Sequence, residues 1–280
     1  MADVTVRGVR FHVQRLGAPA PGEASKPVVV FLHGLVMDNL SSWFFTVANP
    51  ATRLAEAILY DLRGHGLSER PKTGYTLADH VADLAALLDA LAITRPVVLV
   101  GNSFGGLLAL AFARAHAARV AGVVLVDGHL GDEGFGAQMS ATLRLTGEER
   151  DRKIAESFAA WLGRHSERKR TRLADNARSL VEGTSLVDDM QRTPPYDAAD
   201  LADVRTPILG LYGERSDIRV RSESLLAHAP NARVVILPGC SHSVLWEATD
   251  EVRSRTLAFL EAHGPRNGVT LHAGDQRDDS

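Results

Sequence analysis

The chain has 280 residues, of which 45% are hydrophobic and 23% charged, and its formal net charge is −3. These proportions are typical of a globular protein, and without a basic excess they argue against nucleic acid as a partner. The one cysteine, Cys240, cannot form an internal disulfide, which fits a reducing compartment. No apolar run has the length of a signal peptide or a membrane span, so we expect a cytoplasmic protein that does not enter the membrane.

Apolar residues recur in two different strand patterns. Residues 4–13 approach strict alternation around Gly8, which predicts a hairpin at a sheet edge. Six later segments are continuous apolar runs that end in Gly, Asp or Ser, as strands buried on both faces do. These segments are residues 27–34, 55–64, 96–103, 120–128, 206–214 and 232–239.

Helical patterns lie between these runs. The clearest covers residues 76–92, where apolar residues fall on one face and Thr76, followed by Asp79, predicts an N-cap. Residues 105–118 and 246–263 supply two more helices. Strands that alternate with helices predict right-handed crossovers and a mostly parallel sheet, whose active site lies beyond the carboxyl ends of the strands.

An arginine-rich, helical stretch without a strong strand signal interrupts this alternation at residues 129–203. We interpret it as a helical cap above a core formed by residues 1–128 and 204–263. Residues 264–280 have little to bury and are expected to be disordered. The basic run at 164–172 either forms the solvated face of a cap helix, which we favour, or docks a phosphopantetheine carrier or an anionic substrate.

Residues 101–105, Gly-Asn-Ser-Phe-Gly, satisfy the pattern G-x-S-x-G between a buried strand and a helix of small residues. Glycines on both sides let the chain turn sharply, which raises the hydroxyl of Ser103 above the sheet edge. A serine hydroxyl is a weak nucleophile at neutral pH, and it needs an adjacent base that is itself oriented by an acid. The sequence therefore has to supply a histidine and a carboxylate at the same edge.

His242 follows the last predicted strand and is the expected base. Asp217 follows the strand before it, completes the chain order Ser, Asp, His, and is the favoured acid. Asp127, at the end of the strand that precedes the insertion, and Glu214 are the alternatives.

An anionic acyl-transfer intermediate also needs hydrogen-bond donors. The backbone N–H groups of Phe104, after the nucleophile, and Leu35, in the loop after the first buried strand, are the expected pair. We expect His33 to hold this loop through backbone hydrogen bonds. The histidines lack the paired spacing of metal ligands, so we expect no metal and no cofactor.

Several side chains are placed by the sequence where they would line a substrate pocket, and for the apolar ones core packing explains the position equally well. The candidates are Asn39, Trp43, Phe135, Met139, Trp161 and Val244. Asn39 would orient a substrate oxygen if it points inward.

Five segments in this order, FLHG, YDLRGHGLSERP, VGNSFGG, LYGERSD and GCSHSVLWE, resemble the α/β-hydrolase fold superfamily over roughly residues 4–263. The resemblance implies an α/β fold with a mostly parallel eight-stranded sheet, helices on both faces and a helical lid at 129–203. It also implies that the DLRGHG segment, residues 61–66, is mainly structural.

A serine at the elbow favours attack on a carbonyl, whereas relatives that open epoxides or displace halide use aspartate. The GNSFGG segment is similar to the meta-cleavage product hydrolases, which split a carbon–carbon bond, but the HGLVMDNLSSW loop departs from their HGxGPG. We therefore expect a cofactor-independent esterase or thioesterase acting on a small to medium apolar acyl substrate, free or carrier-bound. A C–C hydrolase and an acyl-transfer cyclase or chain-release enzyme are alternatives, and a non-catalytic binding protein ranks last.

Overall fold

The computed structural model describes most of the chain: residues 2–20, 26–131, 134–149, 152, 163, 166–194 and 198–264. Its strands, in chain order, are β1 Ala2–Val6, β2 Val9–Leu16, β3 Val28–Leu32, β4 Glu56–Tyr60, β5 Val97–Asn102, β6 Val120–Val126, β7 Ile208–Gly213 and β8 Ala232–Leu237. All eight form one sheet in the order β1-β2-β4-β3-β5-β6-β7-β8.

The sheet is mostly parallel, as the sequence predicted. β1 and β2 form an antiparallel hairpin at one edge, and β2 also runs antiparallel to β4. The other strands pair in parallel from β4 to β8. Every residue of β3 is buried, because the strand lies in the middle of the sheet with helices on both faces.

The longer helices are α3 Leu77–Ala90, α4 Phe104–Ala115, α5 Phe135–Leu143, α6 Glu167–Gly183, α9 Val220–His228 and α11 Thr249–His263. The short helices are α1 Ser41–Trp43, α2 Asn49–Ala51, α7 Leu186–Gln191, α8 Ala198–Ala202 and α10 Val244–Glu247. A π-helical turn, Phe44–Ala48, joins α1 to α2. The predicted N-cap of α3 is confirmed: Thr76 and Asp79 form a reciprocal capping box. None of the described helices combines the length and apolar character needed to cross a bilayer.

The two faces of the sheet bury separate apolar clusters. One cluster joins Leu99 of β5 to residues of α3 and α4 such as Leu84 and Leu108. The other joins Val100, the next residue of the same strand, to Trp43 and to Phe259 of α11. Alternate side chains of one strand thus enter opposite layers, and the central strands are fixed from both sides.

Helices α5 to α8 occupy the stretch between β6 and β7 where the sequence predicted a helical insertion. The described side chains of residues 166–172 are exposed, whereas Leu173 and Leu180 of the same helix are buried, as expected for a helix with one solvated face. Leu173 packs against Met37 from the loop after β3. The expected disorder of residues 264–280 concerns a stretch that lies, apart from Gly264, outside the described residues.

Candidate active site

Ser103 lies in a sharp turn between β5 and α4. Its backbone has φ 54° and ψ −117°, a conformation that L-residues rarely adopt. The turn needs its glycines for space: a Cβ on Gly101 would lie 2.2 Å from the carbonyl oxygen of Gly105, and a Cβ on Gly105 would lie 2.2 Å from that of Leu32. The serine side chain is thereby raised at the carboxyl edge of the sheet, where it lines a cavity.

His242 lies in the loop between β8 and α10, and its ring reaches the same edge. Its Nε2 atom is 3.1 Å from Oγ of Ser103, and its Nδ1 atom is 2.6 Å from Oδ2 of Asp127. With the Nδ1 proton donated to the carboxylate, Nε2 carries the lone pair that can accept the hydroxyl proton of Ser103. The expected pairing of Ser103 with His242 is therefore present.

The carboxylate at Nδ1 of His242 belongs to Asp127, the alternative acid, whereas the favoured residue Asp217 lies in the cavity wall. Asp127 is fully buried at the end of β6. Its carboxylate also accepts hydrogen bonds from the N–H of Gly213, at 2.9 Å, and from the hydroxyl of Ser216. The loop after β7 thus supplies donors to the acid, and the acid itself comes from β6.

Strand order explains why Asp127 reaches His242, although the sequence favoured Asp217. β6 is the direct neighbour of β5, and the N–H of Ser103 donates to the carbonyl of Val126 at 3.1 Å, so Asp127 stands beside the elbow. Asp217 follows Gly213 and Ser216, the two residues that donate hydrogen bonds to Asp127, and it forms part of the cavity wall. The carboxylate of Glu214 accepts the N–H of Gly239 at 2.8 Å on the exposed side of the loop.

The N–H group of Leu35, in the loop after β3, lies between two N–H groups that are both hydrogen-bonded. Asp38 accepts the N–H of Gly34 at 2.8 Å, and His65 Nε2 accepts the N–H of Val36 at 2.8 Å. Among the described residues, no acceptor pairs with the N–H of Leu35 between them or with that of Phe104 at the start of α4. Two such N–H groups next to a serine are what an oxyanion requires.

Buried histidines hold this loop, as the sequence predicted for His33. His33 donates from Nδ1 to the carbonyl of Gly34 at 2.7 Å and accepts the N–H of Leu62 at Nε2. His65, from the DLRGHG segment, donates from Nδ1 to the carbonyl of Arg63 and reaches Val36 with Nε2. Burial, reinforced by the neighbouring His33, keeps the pKa of His65 well below its usual value, so its Nε2 remains an acceptor.

Backbone strain is concentrated at this edge of the sheet. Three non-glycine residues of the site have positive φ angles: Val36 at 67°, Ser103 at 54° and Asp127 at 45°. This conformation costs the most free energy for a β-branched residue such as Val36. Such residues persist only where the surroundings hold them, and they cluster at functional sites.

Ser103 and His242 open on a cavity of about 770 Å³. Its walls include Leu35 and Met37 from the loop after β3 and residues of α5, α6 and α7. Phe135 and Met139, both predicted pocket residues, line it. The helices between β6 and β7 therefore enclose the space above the elbow.

Three other predicted pocket residues are elsewhere. Asn39 uses its side-chain oxygen to accept the N–H of Ser41 at 3.0 Å, as a turn residue ahead of α1. Trp43 is fully buried and donates to the carbonyl of Leu32, and Val244 is fully buried in the core beneath the site. Trp161 lies outside the described residues.

Sequence reasoning missed His129, which lines the cavity two residues after Asp127. Its ring centroid is 5.8 Å from that of His242 and 5.1 Å from that of Phe135. The only available signal was its proximity to Asp127 in the segment VDGHL, and that signal mattered only once Asp127 was known to contact His242.

Fold and site together are those of the α/β-hydrolase class: a mostly parallel eight-stranded sheet with a serine elbow at its carboxyl edge. A model of the Alpha/beta hydrolase family matches residues 29–255, and the chain belongs to that family.

The relatives carry names of different reactions: the chain is 28% identical to a putative 2-succinyl-6-hydroxy-2,4-cyclohexadiene-1-carboxylate synthase of Bacillus subtilis, over 85% of this chain and 89% of that protein, and two further relatives are named hydrolases. The chain is 28% identical to 2-(acetamidomethylene)succinate hydrolase of Mesorhizobium japonicum, over 90% of this chain and 95% of that protein. It is 37% identical to 2-hydroxy-6-oxo-2,4-heptadienoate hydrolase of Pseudomonas putida over 126 residues, 44% of this chain and 42% of that protein. The crystal structure of the enol-lactonase from Burkholderia xenovorans superimposes with a TM-score of 0.74 at 24% identity, over 93% of this chain and all of that one. That likeness is one of fold.

Proposed function

We propose that the protein is a cofactor-independent serine hydrolase that cleaves a carboxylic ester or thioester of a small to medium, largely apolar acyl substrate. The observation that carries the proposal is the 3.1 Å distance between Oγ of Ser103 and Nε2 of His242 at the wall of a cavity. A volume of about 770 Å³ is within the range of small-molecule sites. We expect a cytoplasmic enzyme.

In the proposed mechanism His242 removes the hydroxyl proton as Ser103 attacks the substrate carbonyl. Asp127 holds the Nδ1 proton and stabilises the imidazolium that forms. The N–H groups of Leu35 and Phe104 stabilise the oxyanion, each contributing on the order of 10²–10³ in turnover. His242 then protonates the leaving group, and a water activated by the same imidazole releases the acid from Ser103.

Residues 129–203 act as a lid in this proposal. Met139 of α5, Ala177 of α6 and Val187 of α7 line the cavity opposite the elbow, which supports a role in shaping the acyl site. A change in these helices should alter selectivity among substrates more than turnover of a minimal ester.

A second candidate reaction is hydrolysis of a carbon–carbon bond beside a ketone. Two observations favour it: the GNSFGG segment, which is similar to that of the meta-cleavage product hydrolases, and the Pseudomonas putida relative, which is named for a 6-oxo-dienoate substrate. The loop after β3, HGLVMDNLSSW, still lacks their glycine-rich sequence. We rank ester and thioester hydrolysis first for that reason.

The test combines active-site labelling with a substrate panel. A fluorophosphonate probe should label the parent protein and fail to label Ser103→Ala. Ser222→Ala is the matched control. Ser222 is a buried serine that does not line the cavity, and its hydroxyl donates a hydrogen bond to the carbonyl of Arg219. The panel contains p-nitrophenyl esters of increasing acyl length, acyl thioesters and a vinylogous keto acid.

Preference for esters or thioesters supports the proposal, and preference for the keto acid assigns the C–C reaction. Labelling that persists in Ser103→Ala, or a folded parent protein that turns over no member of the panel, would contradict both reactions.

A further inference from the structure

His129 has a position in the cavity that the proposed mechanism does not use. Its ring lies beside those of both His242 and Phe135, with centroid distances of 5.8 and 5.1 Å. The backbone N–H of His129 donates to the carbonyl of Ser103 at 3.1 Å. This hydrogen bond links the loop that carries His129 to the backbone of the nucleophile, and both residues line the same cavity.

The imidazole of His129 has unused hydrogen-bonding capacity. Its Nδ1 atom is buried and has no hydrogen-bond partner in the part of the chain that the structure describes. A buried polar atom without a partner costs free energy, so native proteins keep few of them, and each calls for an explanation. The other ring nitrogen, Nε2, also has no hydrogen-bond partner among the described residues but is not fully buried, and because His129 lines the cavity, a bound substrate is well placed to supply a partner for it.

The environment keeps His129 neutral. Burial, and then the positive charges that His242 and Arg221 can carry, lower its pKa to about 3, and the carboxylate of Asp217 opposes them only in part. A neutral imidazole offers one N–H donor and one nitrogen acceptor. As an N–H donor, Nε2 can bind a hydroxyl or a carbonyl oxygen, and as an acceptor it can bind a hydroxyl, but a neutral imidazole forms no ion pair with a carboxylate.

We propose that His129 is a substrate-positioning residue that hydrogen-bonds a hydroxyl or carbonyl oxygen within a few bonds of the scissile carbonyl. The preferred substrate is then an ester or thioester that is apolar apart from this oxygen, on either its acyl or its alcohol side. The inference rests on the proposed function, since it assumes that the substrate reacts at Ser103.

The experiment measures selectivity for that oxygen. One substrate pair carries it on the acyl side: p-nitrophenyl 3-hydroxybutanoate against p-nitrophenyl butanoate. A second pair carries it on the alcohol side: 2-hydroxyethyl butanoate against ethyl butanoate. For each pair, the ratio of kcat/KM with and without the oxygen is determined in the parent protein, His129→Leu and His129→Gln.

His80→Leu is the matched control. His80 is also a buried histidine with an unpartnered ring nitrogen, Nε2, but it packs beneath Phe104 at a centroid distance of 5.3 Å and does not line the cavity. Removing it tests the effect of losing a buried imidazole near the elbow without changing the cavity wall.

We expect a ratio of about ten or more for at least one pair in the parent protein, falling to near one in His129→Leu, mainly through KM. His129→Gln should recover part of the ratio, and His80→Leu should keep it. The pair that responds shows which side of the substrate carries the oxygen. Ratios near one for both pairs in the parent, or equal ratios in parent and His129→Leu, would overturn the inference while leaving ester hydrolysis itself intact.

Stability separates this role from a structural one. Since leucine removes a buried nitrogen that lacks a partner, His129→Leu should unfold at the same urea concentration as the parent protein or a higher one. A lower midpoint together with an unchanged ratio would assign His129 to packing and would also overturn the inference. Absence of turnover on all four esters would instead contradict the proposed function.

Discussion

Oδ2 of Asp127 lies 2.6 Å from Nδ1 of His242, although 115 residues separate them in the chain. The acid therefore comes from the end of β6, one strand away from the elbow. Gly213 and Ser216, from the loop after β7, hold its carboxylate from the other side. The ends of two neighbouring strands, β6 and β7, thus combine to orient one imidazole.

Exchanging Asp127 for Asn should reduce kcat by about 10³–10⁴, because an amide favours the wrong tautomer of His242. Asp217→Asn is the matched control, and it should reduce kcat far less. Ester hydrolysis by both purified variants provides the measurement. If Asp217→Asn were the more damaged of the two, the assignment of the acid would be wrong.

His65→Leu should lower kcat by about 10- to 100-fold with little change in KM, because the N–H of Val36 loses its acceptor and the adjacent N–H of Leu35 shifts. His65→Gln keeps an acceptor and should recover part of kcat. Steady-state kinetics on one p-nitrophenyl ester distinguishes the His65→Leu variant from the His65→Gln variant. An increase in KM at constant kcat would show that the loop binds substrate and does not stabilise the oxyanion.

Gly105→Ala should destabilise the protein by about 2 kcal/mol or more, since the new Cβ would meet the carbonyl oxygens of Leu32 and His33 at 2.2 and 2.8 Å. Gly183→Ala is the control: Gly183 ends α6 with open space around it, and alanine there should stabilise by about 0.5 kcal/mol. Urea unfolding of both variants tests the contrast. Equal midpoints would mean that the elbow can relax around a methyl group.

Acid should destabilise the protein through its buried neutral histidines. Burial lowers the pKa of His80 to about 4 and that of His129 to about 3, while an unfolded histidine titrates near 6.5. Between pH 6.5 and 4 the unfolded chain therefore binds protons that the native protein does not. The free energy of unfolding should fall as the pH falls through this range, by up to about 1.4 kcal/mol per pH unit for each such histidine.

His80→Leu removes one of these groups, so its free energy of unfolding should depend less steeply on pH than that of the parent protein. His228→Leu, at an exposed position, is the control and should follow the parent profile. Urea unfolding at pH 6.5, 5.5 and 4.5 gives the pH dependence of the free energy of unfolding for the parent protein and for each of the two variants. A His80→Leu profile parallel to that of the parent would show that His80 does not drive the acid response.

Local patterns were sufficient for the strands and for three of the helices, but they did not predict the short helices after β3 or α9 between β7 and β8. Continuous apolar runs marked the central strands, alternation around Gly8 marked the edge hairpin, and Thr76 with Asp79 marked the start of α3. These signals are readable because burial on one or both faces imposes a period on neighbouring residues. The Gly-x-Ser-x-Gly turn is equally local, since its glycines are needed by contacts within a few residues of Ser103 or with the adjacent strand.

Pocket residues were harder to assign, because the same apolar side chain suits a cavity wall and a core. Phe135 and Met139 line the cavity, whereas Trp43 and Val244 pack beneath it, and only the direction of each side chain separates the two cases.

The sequence by itself determined the order of the strands along the chain, three of the helices, the Gly-x-Ser-x-Gly turn and the histidine that follows the last strand. Only the tertiary structure decided between Asp127 and Asp217, and only it brought His129 to the cavity. Which carboxylate reaches an imidazole depends on which strands are neighbours in the sheet and on where the intervening loop turns. Both depend on contacts between residues far apart in the chain, which no local pattern records.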